Sequence, residues 1–138
     1  MSAEYVIDAN VLFSAFISGK DVYQFLFSGA KIYLPDFAFK EIEKYKDRIL
    51  SKTKLKENDF KEFVIKLLKD ITVIPSLLLS DRSIETAYSL CREIDEKDTL
   101  YIALAVEFNY TLVTNDKKLY HGLRKAKFKN VKLLEELL

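Results

Sequence analysis

The chain has 138 residues, enough for one domain and one core and too few for two ordinary domains. Hydrophobic residues at 49% exclude a disordered chain, and 22 basic against 21 acidic residues give no net charge of the kind that marks a strongly basic nucleic-acid binder, leaving that role to local patches. The lone Cys91 excludes an internal disulfide and a cysteine-rich zinc site, no apolar run approaches the roughly 20 residues that cross a bilayer, and Asp8 interrupts the N-terminal apolar run, so no signal peptide and a cytoplasmic location are expected.

Glu4 to Ile7 reads as a short buried strand, with Asp8 directly after it. Val11 to Ile17 follows as a helix, broken at Ser18-Gly19-Lys20. Asp21 is expected to cap a second helix running to Leu26 and Phe27 and ending at Ser28-Gly29. Lys31 to Leu34 is the next strand, and Pro35 suits the first position of a helix carrying Phe37, Phe39, Glu41, Ile42 and Tyr45. Lys52 to Asp59 is strongly polar and predicts a turn. Asp59 caps or opens a helix in which Phe60, Phe63, Val64, Leu67 and Leu68 recur at helical spacing. Ile71 to Ile74 is a third strand, closed by Pro75. Ser80 or Asp81 starts a helix with Ile84, Ala87, Tyr88 and Cys91 on one side, and Asp95 or Glu96 starts another that runs to about Phe108. Thr111 to Thr114 is a fourth strand, Leu119 to Lys125 a short helix, and Val131 to Leu133 a fifth, edge strand. Short strands alternating with helices predict an α/β fold with a parallel sheet and right-handed crossovers that place helices on both faces. Ligands bind beyond the carboxyl ends of such strands, the rim on which Asp8 and Asp116 are expected. No repeat, linker or low-complexity segment divides the chain, which predicts one domain over 1–138.

Four acids sit beside apolar segments: Asp8 after the first strand, Glu41 in an aromatic-rich helix, Asp98 ahead of Leu100 to Ala105, and Asp116 after Thr111 to Asn115. Each also has a plain structural reading. Asp8 and Asp116 suit helix caps or turns, Glu41 a solvated charge near Lys44 and Tyr45, and Asp98 the first turn behind a capping Asp95. At that position the positive helix end would help keep Asp98 ionised. Brought together, four carboxylates repel, and a hard cation with a preference for oxygen ligands, Mg²⁺ or Mn²⁺, is the natural compensation. That chemistry points to metal-dependent phosphoryl transfer, with water as the nucleophile and no side-chain nucleophile required. Cys91 lies on an apparent core face, and His121 has no evident catalytic partner.

The stretches Val6-Ile7-Asp8-Ala9-Asn10-Val11-Leu12, Glu41 after Leu34-Pro35, Glu96-Lys97-Asp98-Thr99-Leu100-Tyr101-Ile102-Ala103-Leu104-Ala105 and Leu112-Val113-Thr114-Asn115-Asp116-Lys117-Lys118-Leu119 together resemble PIN-domain ribonucleases over nearly the whole length. The most specific part is the aspartate before an Ala-Leu-Ala helix paired with Thr-x-Asp after the next strand. The resemblance implies a central parallel sheet of strand order 3-2-1-4-5 flanked by helices. It implies that Asp8, Glu41, Asp98 and Asp116 bind one or two Mg²⁺ or Mn²⁺ ions, that Asn10 and Thr114 orient ligands or water, and that Asp95 joins the acidic cluster; Asn115 is a further auxiliary. The implied activity is endoribonuclease hydrolysis of RNA. Lys117, Lys118, Arg124 and Lys125, with Lys127 and Lys129, are the candidate phosphate contacts, equally readable as a solvated surface. A compact single domain resembles the toxin of a VapC-type toxin–antitoxin pair, which implies a homodimer and a small antitoxin that blocks the cleft. The apolar Phe13-Phe16 and Tyr23-Phe27 region is partner surface or core.

Two other folds with a strand-ending acid fail on their own requirements. A phosphoacceptor receiver needs an aspartate after the third strand, where Pro75-Ser76 stand. A haloacid-dehalogenase-type phosphatase needs a second aspartate where Asn10 stands. A non-catalytic binding module of the same fold, an RNA-processing nuclease outside any toxin system and a DNA-directed nuclease stay open, since no residue here is assignable to the 2′-hydroxyl.

Overall fold

The computed structural model describes residues 3–138; the first two residues of the expected 1–138 domain lie outside it. Five strands form one parallel sheet: β1 (Glu4–Ile7), β2 (Lys31–Pro35), β3 (Ile71–Ile74), β4 (Thr111–Thr114) and β5 (Val131–Leu133). Their spatial order is β3-β2-β1-β4-β5, as the family resemblance implies. Because β1 is central, Val6 and Ile7 are both buried although they point to opposite faces; Leu112 and Val113 of β4 behave alike. Both faces of the sheet are therefore covered by helices.

Among the described residues, eight α-helices provide the cover: α1 (Ala9–Ser18), α2 (Asp21–Ser28), α3 (Ala38–Lys44), α4 (Lys46–Lys52), α5 (Glu57–Lys69), α6 (Asp81–Cys91), α7 (Thr99–Phe108) and α8 (Lys117–Lys125). α7 is apolar nearly all round, with Tyr101 to Ala105 buried without interruption, and it lies against β1, β2, β4 and α6. Ala103 and Ala105 leave room for that close approach. α1 buries Val11, Leu12, Ala15 and Phe16 and packs against α3, α4 and α5.

Several local expectations are corrected. Pro35 ends β2, its Cα paired with Ile74, and the following Asp36 N–H donates to the Ile74 carbonyl; the helix starts later, at Ala38. The segment read as a turn from Lys52 is narrower: α4 runs to Lys52 and α5 opens at Glu57, with Lys56 rather than Asp59 at its cap. Lys20 occupies the cap position of α2, and Asp21 stands in its first turn, where an acid suits the helix dipole. On α6, Tyr88 is exposed, and the buried face is Ser83, Ala87 and Cys91. Phe16, Tyr23 and Phe27 belong to the core, while Phe25 is 76% exposed.

Candidate active site

The register of the central strands builds the first part of the site. Ile7 is level with Val113, so the next residues, Asp8 and Thr114, emerge side by side at the carboxyl rim. The Thr114 hydroxyl donates to Asp8 Oδ2 at 2.7 Å and accepts from the Asp116 backbone N–H at 3.1 Å. Asp8 Oδ1 accepts from the Val11 N–H at 3.0 Å and so caps α1; Asp116 Oδ1 accepts from the Leu119 N–H at 3.0 Å and so caps α8. The capping reading of both acids is thus correct. It is also what holds their carboxylates at one end of the sheet.

The other two acids arrive from helices. Glu41, in α3, accepts a 2.6 Å hydrogen bond from the Tyr101 hydroxyl. Asp98 closes a short 3₁₀ turn, Glu96–Asp98, that Asp95 caps through Oδ1 and the Lys97 N–H at 3.0 Å. Standing just before α7, Asp98 makes no capping bond of its own. Asn115 donates from Nδ2 to Ser14 Oγ at 2.8 Å and ties the β4 end to α1.

These residues surround one cleft of about 540 Å³, lined by Glu41, Asp95, Asp98, Asp116, Asn10 and Asn115 among others. Asp8 does not line the cleft and is only 3% exposed. Burial pushes the Asp8 carboxyl up to about 6, against its hydrogen bonds to Thr114 and Val11, with Asp116 and Glu41 adding like charge. Asp98 is pushed up to about 7 by burial first and then by Asp8, Asp95, Asp116 and Glu41. Desolvation and four neighbouring acids thus work against the helix end that was expected to help keep Asp98 ionised. Burial, and donation to Glu41, also hold the Tyr101 phenol in its protonated form.

Two helix faces complete the walls. On α1, Asn10, Phe13, Ser14 and Ile17 line the cleft at helical spacing, opposite the face that enters the core. Glu41 of α3, Tyr45 between α3 and α4, and Arg48 and the core residue Ile49 of α4 line it too. Tyr101, Ser14, Arg48 and Lys97 have no place in the sequence-derived site; the recurrence at positions 41, 45 and 48 was the available signal for Arg48. Of the expected phosphate contacts, Lys117, Lys118, Arg124 and Lys125 all lie on α8 and none lines the cleft. Lys117 pairs with Glu135 at 3.9 Å, and the Arg124 guanidinium donates to the Lys129 carbonyl. His121 is exposed beside Tyr120, and Cys91 is buried against Thr99.

Among the described residues, no three acidic, histidine or cysteine side chains converge into a ready-made ligand set. Three of the carboxylates are drawn aside by partners, Asp8 by Thr114, Glu41 by Tyr101 and Asp116 by the Leu119 N–H. The donor set nonetheless fits a hard divalent cation. It offers hard oxygen donors around one cleft, four carboxylates with the Asn10, Ser14 and Asn115 oxygens nearby, and burial and mutual repulsion raise the pKa of two of the acids, a cost that a cation would relieve.

Known structures with the same fold include the following two. The structure of PAE2754 from Pyrobaculum aerophilum is similar with a TM-score of 0.63 at 19% identity, over 99% of this chain and 95% of that one. A chain of VapBC2 from Rickettsia felis, solved bound to a DNA fragment from their promoter, is similar with a TM-score of 0.57 at 21% identity, over 94% and 96% of the two chains. No curated protein matches the sequence. The PIN domain family matches residues 6–136, from the middle of β1 to the last turn of the chain, and the protein belongs to that family.

Proposed function

We propose that the protein is a divalent-metal-dependent endoribonuclease that hydrolyses RNA phosphodiester bonds in the carboxylate cleft. The observation that carries this reading is the meeting of Asp98, Glu41 and Asp116 around one cavity, with the buried Asp8 joined to Asp116 through the Thr114 hydroxyl. Asp8, Glu41, Asp98 and Asp116 would hold Mg²⁺ or Mn²⁺. When bound, the cation supplies an acidified water and neutralises charge on the phosphodiester. Thr114 fixes the orientation of Asp8, and Tyr101 that of Glu41. Asp95 adds negative charge beside Asp98, and Asn10 and Asn115 offer amide groups at the rim. Lys117 and Lys118, one and two residues beyond Asp116, serve as outer phosphate contacts. The fold shared with a chain of VapBC2 supports a toxin role, with a homodimer and a small antitoxin as partners.

The test is cleavage of a mixture of single-stranded and structured RNA by purified protein with Mn²⁺, with Mg²⁺ and with chelator, beside Asp8→Asn prepared in parallel. Metal-dependent cutting that the variant lacks is the expected result. Cutting that persists in chelator or in the variant, or no cutting with either metal, overturns the reading.

A further inference from the structure

Besides its acids, the cleft has lining residues of different chemistry. Phe13 and Tyr45 meet edge to face, ring centroids 5.5 Å apart, with Ile17 and Ile49 beside them. Phe13, Ile17 and Tyr45 are only half-buried, so the protein itself leaves this wall partly open. Arg48 lines the same cavity and forms no ion pair among the described residues, although acids line it too. Glu41 of α3, Tyr45 at the junction of the two helices and Arg48 of α4 all line the cavity. Apolar rings, a free guanidinium and a carboxylate are therefore presented to one cavity.

Resting on the nuclease reading, we propose that Phe13, Tyr45 and Arg48 form a subsite for one unpaired nucleobase and its phosphate, next to the carboxylates. The cleft volume of about 540 Å³ lies within the range that encloses a small ligand. A base has an apolar face that stacks on an aromatic ring whatever its identity, and a phosphate takes a guanidinium in a forked pair. The occupant must come from a single-stranded segment, because a paired base in an RNA helix is stacked inside and cannot turn its face to Tyr45. The subsite orients the strand and leaves sequence to be read elsewhere.

The proposal is tested by binding rather than by cleavage. A labelled single-stranded RNA oligonucleotide and the duplex of the same sequence are titrated with Asp98→Asn protein, in which hydrolysis is removed, and followed by fluorescence anisotropy. The single strand is expected to bind about tenfold tighter than the duplex. Tyr45→Leu in that background should lose about tenfold for the single strand alone, and Tyr45→Phe should retain it. Arg48→Gln should weaken binding and lower the salt slope by about one. Equal affinity for single strand and duplex, or a folded Tyr45→Leu protein that binds as its parent does, overturns the subsite. Should Tyr45→Leu fail to fold, the strand preference and the exposed Arg48→Gln decide: loss of both the preference and the Arg48 effect overturns it. Selective single-strand binding by a protein that never cleaves would sink the nuclease reading and keep the subsite. Cleavage indifferent to Tyr45 and to strand pairing would do the reverse.

Discussion

At the scale of single residues, the carboxylates show what a sequence states and what it hides. Asp8 and Asp116 were legible because each ends a short apolar strand, and both their capping role and their neighbourhood follow from that position. The protonation of Asp8 was not legible, since it depends first on burial and then on like charge from Asp116 and Glu41. Asp8 and Asp98 have folded-state pKa values above the ordinary carboxyl value of 3.8. Between the two values the folded chain binds more protons than the unfolded one, so in chelator stability falls as pH rises from about 4 through 6 to 7. For Asp8 the shift corresponds to about 3 kcal/mol. Urea unfolding at pH 5 and pH 7.5 should show the loss, and Asp98→Asn should shrink it and raise stability at the higher pH. A flat profile would remove the electrostatic account of the cluster. Tyr101 is the residue most easily misread. In an apolar helix it passes for core, and only the fold brings its hydroxyl to Glu41, 60 residues earlier in the chain. Tyr101→Phe should leave the core filled yet cut metal-dependent RNA cleavage roughly 10- to 100-fold, with a weaker Mn²⁺-induced rise in melting temperature. Unchanged values of both would reduce Tyr101 to packing.

Among the elements, all five strands and every helix but α4 were legible from apolar runs and their breaks. The misplacements have physical causes. Pro35 carries a helix-start signal and a strand-end signal at once, and pairing with Ile74 on β3 decides between them. The α3 and α4 segments are one pattern in sequence but two helices in space, divided at Tyr45, whose backbone leaves the helical region at φ −105° and ψ 14°. Tyr88 had the spacing of a buried residue, but the small Ala87 and Cys91 are what fit beneath α6. The stop at Gly19 was read correctly, and its reason is visible. Its φ of 64° ends α1 in the left-handed conformation, and an added Cβ would lie 2.5 Å from Leu55 Cγ. Gly19→Ala should therefore destabilise the protein by about 1–2 kcal/mol in urea unfolding, from strain together with displacement of Leu55.

For the molecule as a whole, a net charge of +1 conceals a sorted surface. Acids gather around the cleft, and Lys117, Lys118, Arg124 and Lys125 gather on the helix that begins at Asp116. Composition could not report this, because it sums what the fold separates. Such a cleft makes global stability answer to cations. A metal that binds only the folded state at a hundredfold over its Kd adds about 2.7 kcal/mol. Differential scanning fluorimetry in millimolar Mn²⁺ should accordingly show a melting temperature higher by on the order of 5–10 °C, reversed by chelator and blunted in Asp98→Asn. An unmoved curve would count against four carboxylates acting as one site.

The double duty of Asp8 and Asp116 has a consequence for how this chain tolerates change. Each starts a helix with the same carboxylate that it turns toward the acid cluster, whereas Asp98 starts none. In a randomised library retained only for folding, positions 8 and 116 should stay confined to short side chains that accept a hydrogen bond, asparagine foremost, while position 98 should accept a broad range. A descendant that lost its chemistry would then carry a lasting imprint of it, an Asn where each strand-ending Asp had been, and the charge would disappear long before the shape.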